Sequence, residues 1–155
     1  MSFAFFDHTG DIGVRVTART LDGLFRDAAA AFTETITDPT RVESRRSVSL
    51  ALASPAADLL LVDWLNEILY RFDVDQYLVG TADVQIAVPD PGRGRSNAPP
   101  ASHAAAAFRL QATLGGEPFD AQRHGVKVLI KAVTYHALEV REDPDGWQAT
   151  VVFDI

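Results

Sequence analysis

Apolar and polar residues alternate along much of this chain at a period of two, which is the pattern of half-buried strands. Six segments have this pattern: 12–17, 47–52, 77–88, 108–114, 126–141 and 147–155. The last two flank Asp143-Pro144-Asp145-Gly146, whose residues favour a tight hairpin turn. The pattern therefore predicts strands that are mostly joined as antiparallel neighbours.

Two other stretches repeat apolar residues at helical spacing. The first follows Thr20, which is a suitable N-cap residue. Its apolar positions are Leu21, Leu24, Phe25, Ala28 and Phe32. The second helix is predicted from about Ala56 to Phe72, with Ser54 as its N-cap and Pro55 as its first residue.

The order strand, helix, strand, helix and then hairpin-connected strands predicts an α+β fold. We expect a single domain over residues 1–155, with a mostly antiparallel β-sheet and two main α-helices packed on it. Residues 115–118 are predicted as a turn. Residues 89–102 are rich in proline and glycine and are expected to form an exposed, mobile loop.

The composition is that of a globular protein, with 47% hydrophobic and 23% charged residues among 155. No apolar run approaches the roughly 20 residues of a membrane helix, and residues 1–7 lack the basic start of a signal peptide. The absence of cysteine excludes disulfides, thiolate catalysis and cysteine-based zinc sites. A cytoplasmic protein is the expectation.

The net charge of −7 bears on the choice of partner. Proteins that bind nucleic acid directly carry a basic surface, because contacts to phosphates dominate their affinity. An acidic chain is better suited to a basic protein partner or to a cation.

The last predicted strand keeps its alternation up to Ile155. We therefore expect Ile155 to be packed, with its main-chain carboxylate beside that of Asp154, as a set of oxygen donors for a hard cation. If Pro144 and Asp145 centre the hairpin turn, paired residue numbers add up to about 289. That register places Asp154 near Tyr135 and Ile155 near Thr134.

The segment Lys131-Ala132-Val133-Thr134-Tyr135-His136 would then form the floor of a site beside the chain's last residues. Four of its side chains are polar in what is expected to be a central strand, and burying such groups is costly unless they are paired. The alternative is that Thr134 and Tyr135 are packing residues and that Lys131 extends into solvent.

Other groups of polar residues could form sites or could have ordinary structural roles. His8-Thr9-Gly10-Asp11 places a histidine and a carboxylate in a glycine-containing turn, either as a site or as ordinary turn residues. Asp63 and Glu67 are an acidic pair at helical spacing, either a docking surface or a solvated face. A zinc site made of His8, His124 and His136 lacks any tight ligand spacing.

Six segments, in their order along the chain, resemble the archease family. They are His8-Thr9-Gly10-Asp11-Ile12-Gly13, Leu24-Phe25 with Ala28-Ala29, Asp63-Trp64-Leu65-Asn66-Glu67, Gly116-Glu117 with Asp120 and His124, Lys131-Ala132-Val133-Thr134-Tyr135-His136, and Asp154-Ile155. The resemblance spans nearly the whole chain. It departs from the family at Gly10, where members often have alanine or serine, and at 89–102, which resembles an insertion.

The resemblance implies an accessory protein rather than an enzyme. Archeases activate the GTP-dependent tRNA-splicing RNA ligase that joins a 3′-phosphate or cyclic phosphate to a 5′-hydroxyl. They promote guanylylation of the ligase and its multiple turnover. RNA would be contacted only through the ligase, and no membrane is involved.

The resemblance also implies a calcium or magnesium site whose ligands are Asp11, Asp154 and the carboxylate of Ile155. Partner or functional roles are expected for His8, Lys131, Tyr135, His136 and Glu117, with Lys131 orienting the carboxylates. Two other functions stay open: a chaperone-like RNA-processing module with several clients, and a metal-dependent hydrolase using Asp11, His8 and His136.

Overall fold

The computed structural model describes residues 2–8, 10–89 and 107–155, and the side chains of Asp7 and His8 are not part of that description. Beyond Pro89, the predicted loop 89–102 lies outside the described residues. The elements are β1 (Ser2–His8), β2 (Asp11–Ala18), α1 (Leu21–Ile36), β3 (Arg46–Ser54), α2 (Ala57–Asp75), β4 (Tyr77–Ala87), β5 (Phe108–Pro118), α3 (Ala121–His124), β6 (Ala132–Asp143) and β7 (Gly146–Asp154).

The strands form two antiparallel sheets instead of one. The first has the order β1-β2-β7-β6 and the second has the order β3-β5-β4. Helix α1 packs on β2 and β4, and α2 packs on β3, β4 and β6, so both helices contact both sheets. The predicted α+β class with antiparallel strands and two main helices is confirmed, with the strands divided between two sheets.

The core lies where the helices meet the sheets. The apolar face of α1 includes Phe32, whose ring meets that of Phe153 edge to face at 5.7 Å between centroids. Trp64 of α2 is fully buried and its Nε1–H donates to the carbonyl oxygen of Phe25 at 2.9 Å. The hydrogen bond satisfies the one polar group of a large side chain that would otherwise be costly to bury.

The two helix starts differ from each other in how well the sequence predicts them. Thr20 caps α1 as expected, because its Oγ1 accepts the N–H of Gly23 at 3.0 Å. The predicted cap of α2 is wrong. Ser54 is the buried last residue of β3, and α2 begins at Ala57 after Ala56, which makes no side-chain cap. The chain needs 55–56 to turn from the strand into the helix.

Three strand assignments also change. Strand β1 has no counterpart among the predicted elements. Strand β5 continues through 115–118, the predicted turn, whereas residues 126–131 lie outside β6. The Gly115-Gly116 pair supports a strand here because a Cβ on Gly116 would collide with the carbonyl oxygen of Leu78 on β4. These glycines therefore allow two backbones to approach closely.

The hairpin of β6 and β7 begins in the predicted register, with Asp143 opposite Gly146 and Glu139 opposite Thr150. The register then shifts, and Thr134 lies opposite Val152. The residues between Thr134 and Glu139 form a bulge that adds three residues to β6, and Ala137 within it has a positive φ of 57°. Strand β6 is also an edge strand, so its expected central position is wrong.

Within the part of the chain that the structure describes, no helix is long and apolar enough to cross a membrane.

We expect Gly116→Ala to destabilise the fold by about 1–3 kcal/mol, because the added methyl meets a backbone atom that cannot move without disturbing the strand pairing. The measurement is the free energy of unfolding from urea denaturation. Thr113→Ala, on an exposed position of the same strand, is the matched control and should change stability by no more than about 0.5 kcal/mol. Equal stability of the two variants would contradict the close approach at Gly116.

Candidate functional site

One row of residues crosses the whole first sheet at one end. His8 lies opposite Asp11, Asp11 opposite Asp154, and Asp154 opposite Ala132. We call these four residues the acidic row. Residues directly opposite each other in antiparallel strands share a face, with Cβ atoms about 4.5–5.5 Å apart. The two predicted metal ligands with carboxylate side chains are therefore neighbours on one face of the sheet.

The backbone beside the row is held by Lys131. Its N–H donates to the carbonyl oxygen of Asp154 at 2.7 Å, whereas its side chain is exposed. Asp11, Asp154 and Ile155 are all half-buried. Lys131 thus lies beside Asp154 as the sequence suggested, and the contact to Asp154 runs through the main chain.

Tyr135 and His136 lie further away than predicted. Both belong to the bulge of β6, and Tyr135 is 65% exposed. The expected pairs of Asp154 with Tyr135 and of Ile155 with Thr134 are wrong, because the bulge shifts the register by three residues. His136 is exposed and takes part in a polar or ring interaction of its own. The side chain of His8 lies outside the described part, so only its place in the row is known.

A second, mostly apolar row flanks the acidic row on the same face of the sheet, two residues along each strand. It consists of Phe6, Gly13, Val152 and Thr134. The ring of Phe6 lies over Gly13, where a Cβ would collide with it, and Val152 is fully buried. Apolar neighbours exclude water from one side of the carboxylates, which strengthens their interaction with a charge. The sequence did not single out Phe6 or Val152.

The acidic row fits a hard cation. Two like charges directly opposite each other on a sheet destabilise it, and a divalent cation between them would relieve that repulsion. Oxygen donors favour calcium or magnesium over zinc. Among the described residues, no three His, Cys, Asp or Glu side chains come together to hold a metal ion. The third donor that the resemblance implies, the carboxylate of Ile155, belongs to the half-buried residue that follows Asp154.

The alternative zinc site is not supported. His124 uses both ring nitrogens elsewhere, because Nδ1 accepts the N–H of Asp120 at 2.9 Å and Nε2 is hydrogen-bonded to Glu117. It is also buried, with 2% of its surface exposed. A histidine with both nitrogens engaged has no lone pair left for a metal.

Glu117 lies in a buried charged cluster, away from the surface on which a partner could contact it. Its side chain is fully buried, and its Oε1 accepts hydrogen bonds from His124 Nε2 and Arg123 Nη2. Arg45 Nε lies 3.4 Å from the other oxygen, Oε2. We call Glu117, His124, Arg123 and Arg45 the Glu117 cluster. Arg45 had no recognisable signal in the sequence, because it is distant along the chain from the other three.

The electrostatics of the cluster favour an ionised Glu117. Burial alone would raise the pKa of its carboxyl, but the hydrogen bonds from His124 and Arg123 outweigh burial and hold the pKa below its ordinary value. Since Nδ1 of His124 accepts a hydrogen bond, the proton of the neutral ring is on Nε2, which donates to Glu117.

The acidic pair on α2 has a local explanation. Glu67 forms an ion pair with Arg71 at 3.1 Å, one turn further along the helix, and Asp63 is exposed. Trp64 and Leu65 between them are buried core residues, as their spacing predicts. A solvated helix face accounts for these charges.

A family model and individual relatives with similar sequences all indicate the same protein family. The model of the Archease protein family (MTH1598/TM1083) matches residues 3–155. Protein archease of Methanosarcina acetivorans is 33% identical over 153 residues, covering 99% of this chain and 95% of that protein. Protein archease of Pyrococcus furiosus is 30% identical over 151 residues, covering 97% and 96%.

Solved structures are similar as well. The solution structure of Methanobacterium thermoautotrophicum protein 1598 matches with a TM-score of 0.76 and 26% identity, covering 99% of this chain and 98% of that one. The crystal structure of a Thermotoga maritima protein, described as an archease and possible chaperone, matches with a TM-score of 0.58 and 17% identity, covering 97% and 94%. At that identity the second match shows the fold alone.

The depressed pKa of Glu117 predicts how stability depends on pH. Ionised Glu117 stabilises the fold at neutral pH, and this contribution is lost as pH falls through the folded-state pKa, which lies below the ordinary 4.5. We expect the stability difference between the natural protein and Glu117→Gln to be largest at neutral pH and to shrink in acid. Urea denaturation at several pH values measures it. A difference that does not change with pH would show that the charge of Glu117 is not what stabilises the cluster.

Proposed function

Because this chain belongs to the archease family, we propose that it is the accessory factor of a tRNA-splicing RNA ligase. Family membership supports an accessory, chaperone-like role. The finer proposal is that this protein promotes guanylylation and multiple turnover of a GTP-dependent ligase, which joins 3′-phosphate or cyclic-phosphate ends to 5′-hydroxyl ends. The bond-forming chemistry then belongs to the ligase.

The observation that carries this proposal is the direct opposition of Asp11 and Asp154 in the register of β2 and β7. The opposition of these two carboxylates on an ordered sheet brings like charges together. It is explained if the pair holds a calcium or magnesium ion, with the main-chain carboxylate of Ile155 as a third donor. A cation there would supply positive charge at the surface presented to the ligase.

Residues around the row would orient it and contact the partner. The N–H of Lys131 fixes the main chain of Asp154, and the exposed Lys131 side chain remains available for a partner. Three large side chains between α3 and the bulge of β6 are exposed: Val126 at 46%, Leu129 at 54% and Tyr135 at 65%. Exposed tyrosine and aliphatic side chains beside a polar centre are typical of protein interfaces.

Charge supports a protein partner over direct contact with RNA. The net charge of −7 would repel phosphates and attract a basic protein surface. In this proposal His136, exposed in the bulge, and His8, opposite Asp11, contribute to the contact with the ligase.

Two other functions have less support. A chaperone-like module with several clients would use the exposed apolar residues, but it assigns no role to the acidic row. A metal-dependent hydrolase needs Asp11, His8 and His136 together, whereas the strand partners of Asp11 are His8 and Asp154 and His136 lies in the bulge. A pull-down from cells separates the first two, since a ligase activator should recover one dominant partner.

The direct test is ligation of RNA ends by the cognate ligase at limiting enzyme. With this protein present we expect each ligase molecule to complete many ligations, because guanylylation is restored after every cycle. With Asp11→Asn or Asp154→Asn we expect turnover to fall to that of the ligase alone. Asp145→Asn, at the exposed turn on the opposite end of the sheet, is the control and should stimulate normally. Full stimulation by the two row variants would overturn the proposed role of the row.

Cation binding by the isolated protein is a separate prediction. Calorimetric titration with calcium and with magnesium should show one site, and Asp11→Asn or Asp154→Asn should weaken it by about 10- to 100-fold because each removes a charged ligand. Asp145→Asn should bind as the natural protein does. A chain extended beyond Ile155 should also bind more weakly, and unchanged affinity would exclude Ile155 as a donor.

A further inference from the structure

We infer that Glu117 is a positioning residue for the acidic row, which it controls through His124 and the segment 125–131. Glu117 does not touch the row. It fixes the start of a segment whose last residue, Lys131, is hydrogen-bonded to Asp154. The part of this inference that concerns cation binding rests on the proposed function, whereas the part that concerns the segment does not.

The first link is the hold of Glu117 on the His124 side chain. The imidazole lies between two fixed groups, the carboxylate of Glu117 on Nε2 and the N–H of Asp120 on Nδ1. The ring also stacks on Phe119, with centroids 5.9 Å apart and planes at 18°. A buried ring held by two hydrogen bonds and a stacking neighbour has one orientation, and a charge-assisted bond to a carboxylate is the strongest of these contacts.

The second link passes from the side chain of His124 to its backbone. Its carbonyl oxygen accepts the hydroxyl of Thr37 at 2.6 Å, and its N–H donates to Asp120 at 2.8 Å. Gly125 follows with a φ of +72° and donates its N–H to Ala121 at 3.0 Å. The chain therefore leaves α3 in a direction that depends on where His124 is held.

The third link is the segment itself, which has few anchors. Lys127 donates its N–H to the carbonyl oxygen of Ile36 at 2.7 Å and its Nζ to that of Glu34 at 3.2 Å. Ile130 is buried with 4% exposed, and Lys131 donates its N–H to Asp154 at 2.7 Å. Val126 and Leu129 point their apolar side chains into solvent. A stretch with so few buried contacts is prone to local opening, so the fixation of its first residue matters.

Glutamine at position 117 would weaken the first link in a defined way. It keeps the size of the side chain but loses the charge that Arg123 and Arg45 surround. Its amide group also replaces one acceptor oxygen with an N–H donor, which cannot accept from a neighbouring guanidinium. His124 then has a weaker partner, and the opening of 125–131 becomes more frequent.

Asp27 offers a matched control. Its carboxylate is also buried, with 3% exposed, and accepts the N–H of Ser2 at 3.4 Å. Ser2 lies opposite Thr17, at the end of the sheet far from the acidic row. Asp27→Asn therefore replaces a buried carboxyl group with an amide without touching the segment.

The experiment is native-state hydrogen exchange of the Lys131 amide, measured without added cation. In Glu117→Gln we expect this amide to exchange about ten-fold faster, while the amides of Val14 and Val151 in the central strands change little. In Asp27→Asn we expect the rate at Lys131 to be that of the natural protein. The inference is overturned if Glu117→Gln leaves Lys131 unchanged, or if every amide accelerates equally, which is the signature of a general loss of stability.

A milder variant covers the case in which Glu117→Gln does not fold. Thr37→Val removes only the hydroxyl that donates to the carbonyl of His124, and it should accelerate exchange at Lys131 in the same direction. An unchanged rate at Lys131 in this variant would then overturn the inference.

Calcium titration of the same variants separates this inference from the proposed function. If both hold, Glu117→Gln binds calcium about ten-fold more weakly and Asp27→Asn binds normally. If the natural protein binds neither calcium nor magnesium but the Lys131 amide responds as expected, the proposed cation site fails and the positioning role stands. If Glu117→Gln binds calcium normally, Glu117 does not position the row.

Discussion

The antiparallel pairing of β2 with β7 is the constraint on which both the core and the candidate site depend. In one register it places Val14 opposite Val151 inside the molecule and Asp11 opposite Asp154 on the other face. Because side chains alternate with a period of two, a slip of one residue would expose the core positions and bury the carboxylates. The burial of the core residues is what keeps two like charges side by side. The fold can therefore hold a repulsive pair in place without a dedicated scaffold.

A second feature of the molecule is the way in which neighbouring groups stabilise a charged side chain in its interior. Glu117 is fully buried, and an isolated carboxylate there would be strongly destabilising. Arg123 and Arg45 remain partly exposed, so only one member of each ion pair is fully desolvated. That asymmetry makes the cluster tolerable, and it leaves a strong directional contact for His124. Buried ion pairs can often be replaced as a whole by apolar residues without loss of stability, so the fixed geometry of His124 is the more specific consequence of this cluster.

How far the sequence predicts this structure depends on how local each feature is. Strand β2, the Thr20 cap and the turn at Asp143–Gly146 follow from short-range pattern and turn chemistry, and all three are found. The local sequence pattern indicates Asp11 and Asp154 separately as candidate site residues, and the family resemblance assigns both to one metal site. The bulge in β6 could not be predicted, because no glycine marks it and its positive φ of 57° falls on Ala137, a residue type that rarely adopts it. The burial of Glu117 could not be predicted either, because one of the cations beside its carboxylate, Arg45, comes from a distant part of the chain.

The composition of the acidic row bears on how a cation and a partner would act together. Calcium takes about 6–8 oxygen ligands, more than two side-chain carboxylates and one main-chain carboxylate provide. The remaining positions would be filled by water in the isolated protein and could be filled by ligands from the partner in the complex. The cation would then bind more tightly when the partner is present, and by thermodynamic reciprocity the partner would bind more tightly when the cation is present. A half-complete site of this kind would thus couple metal availability to complex formation, which a closed site could not do.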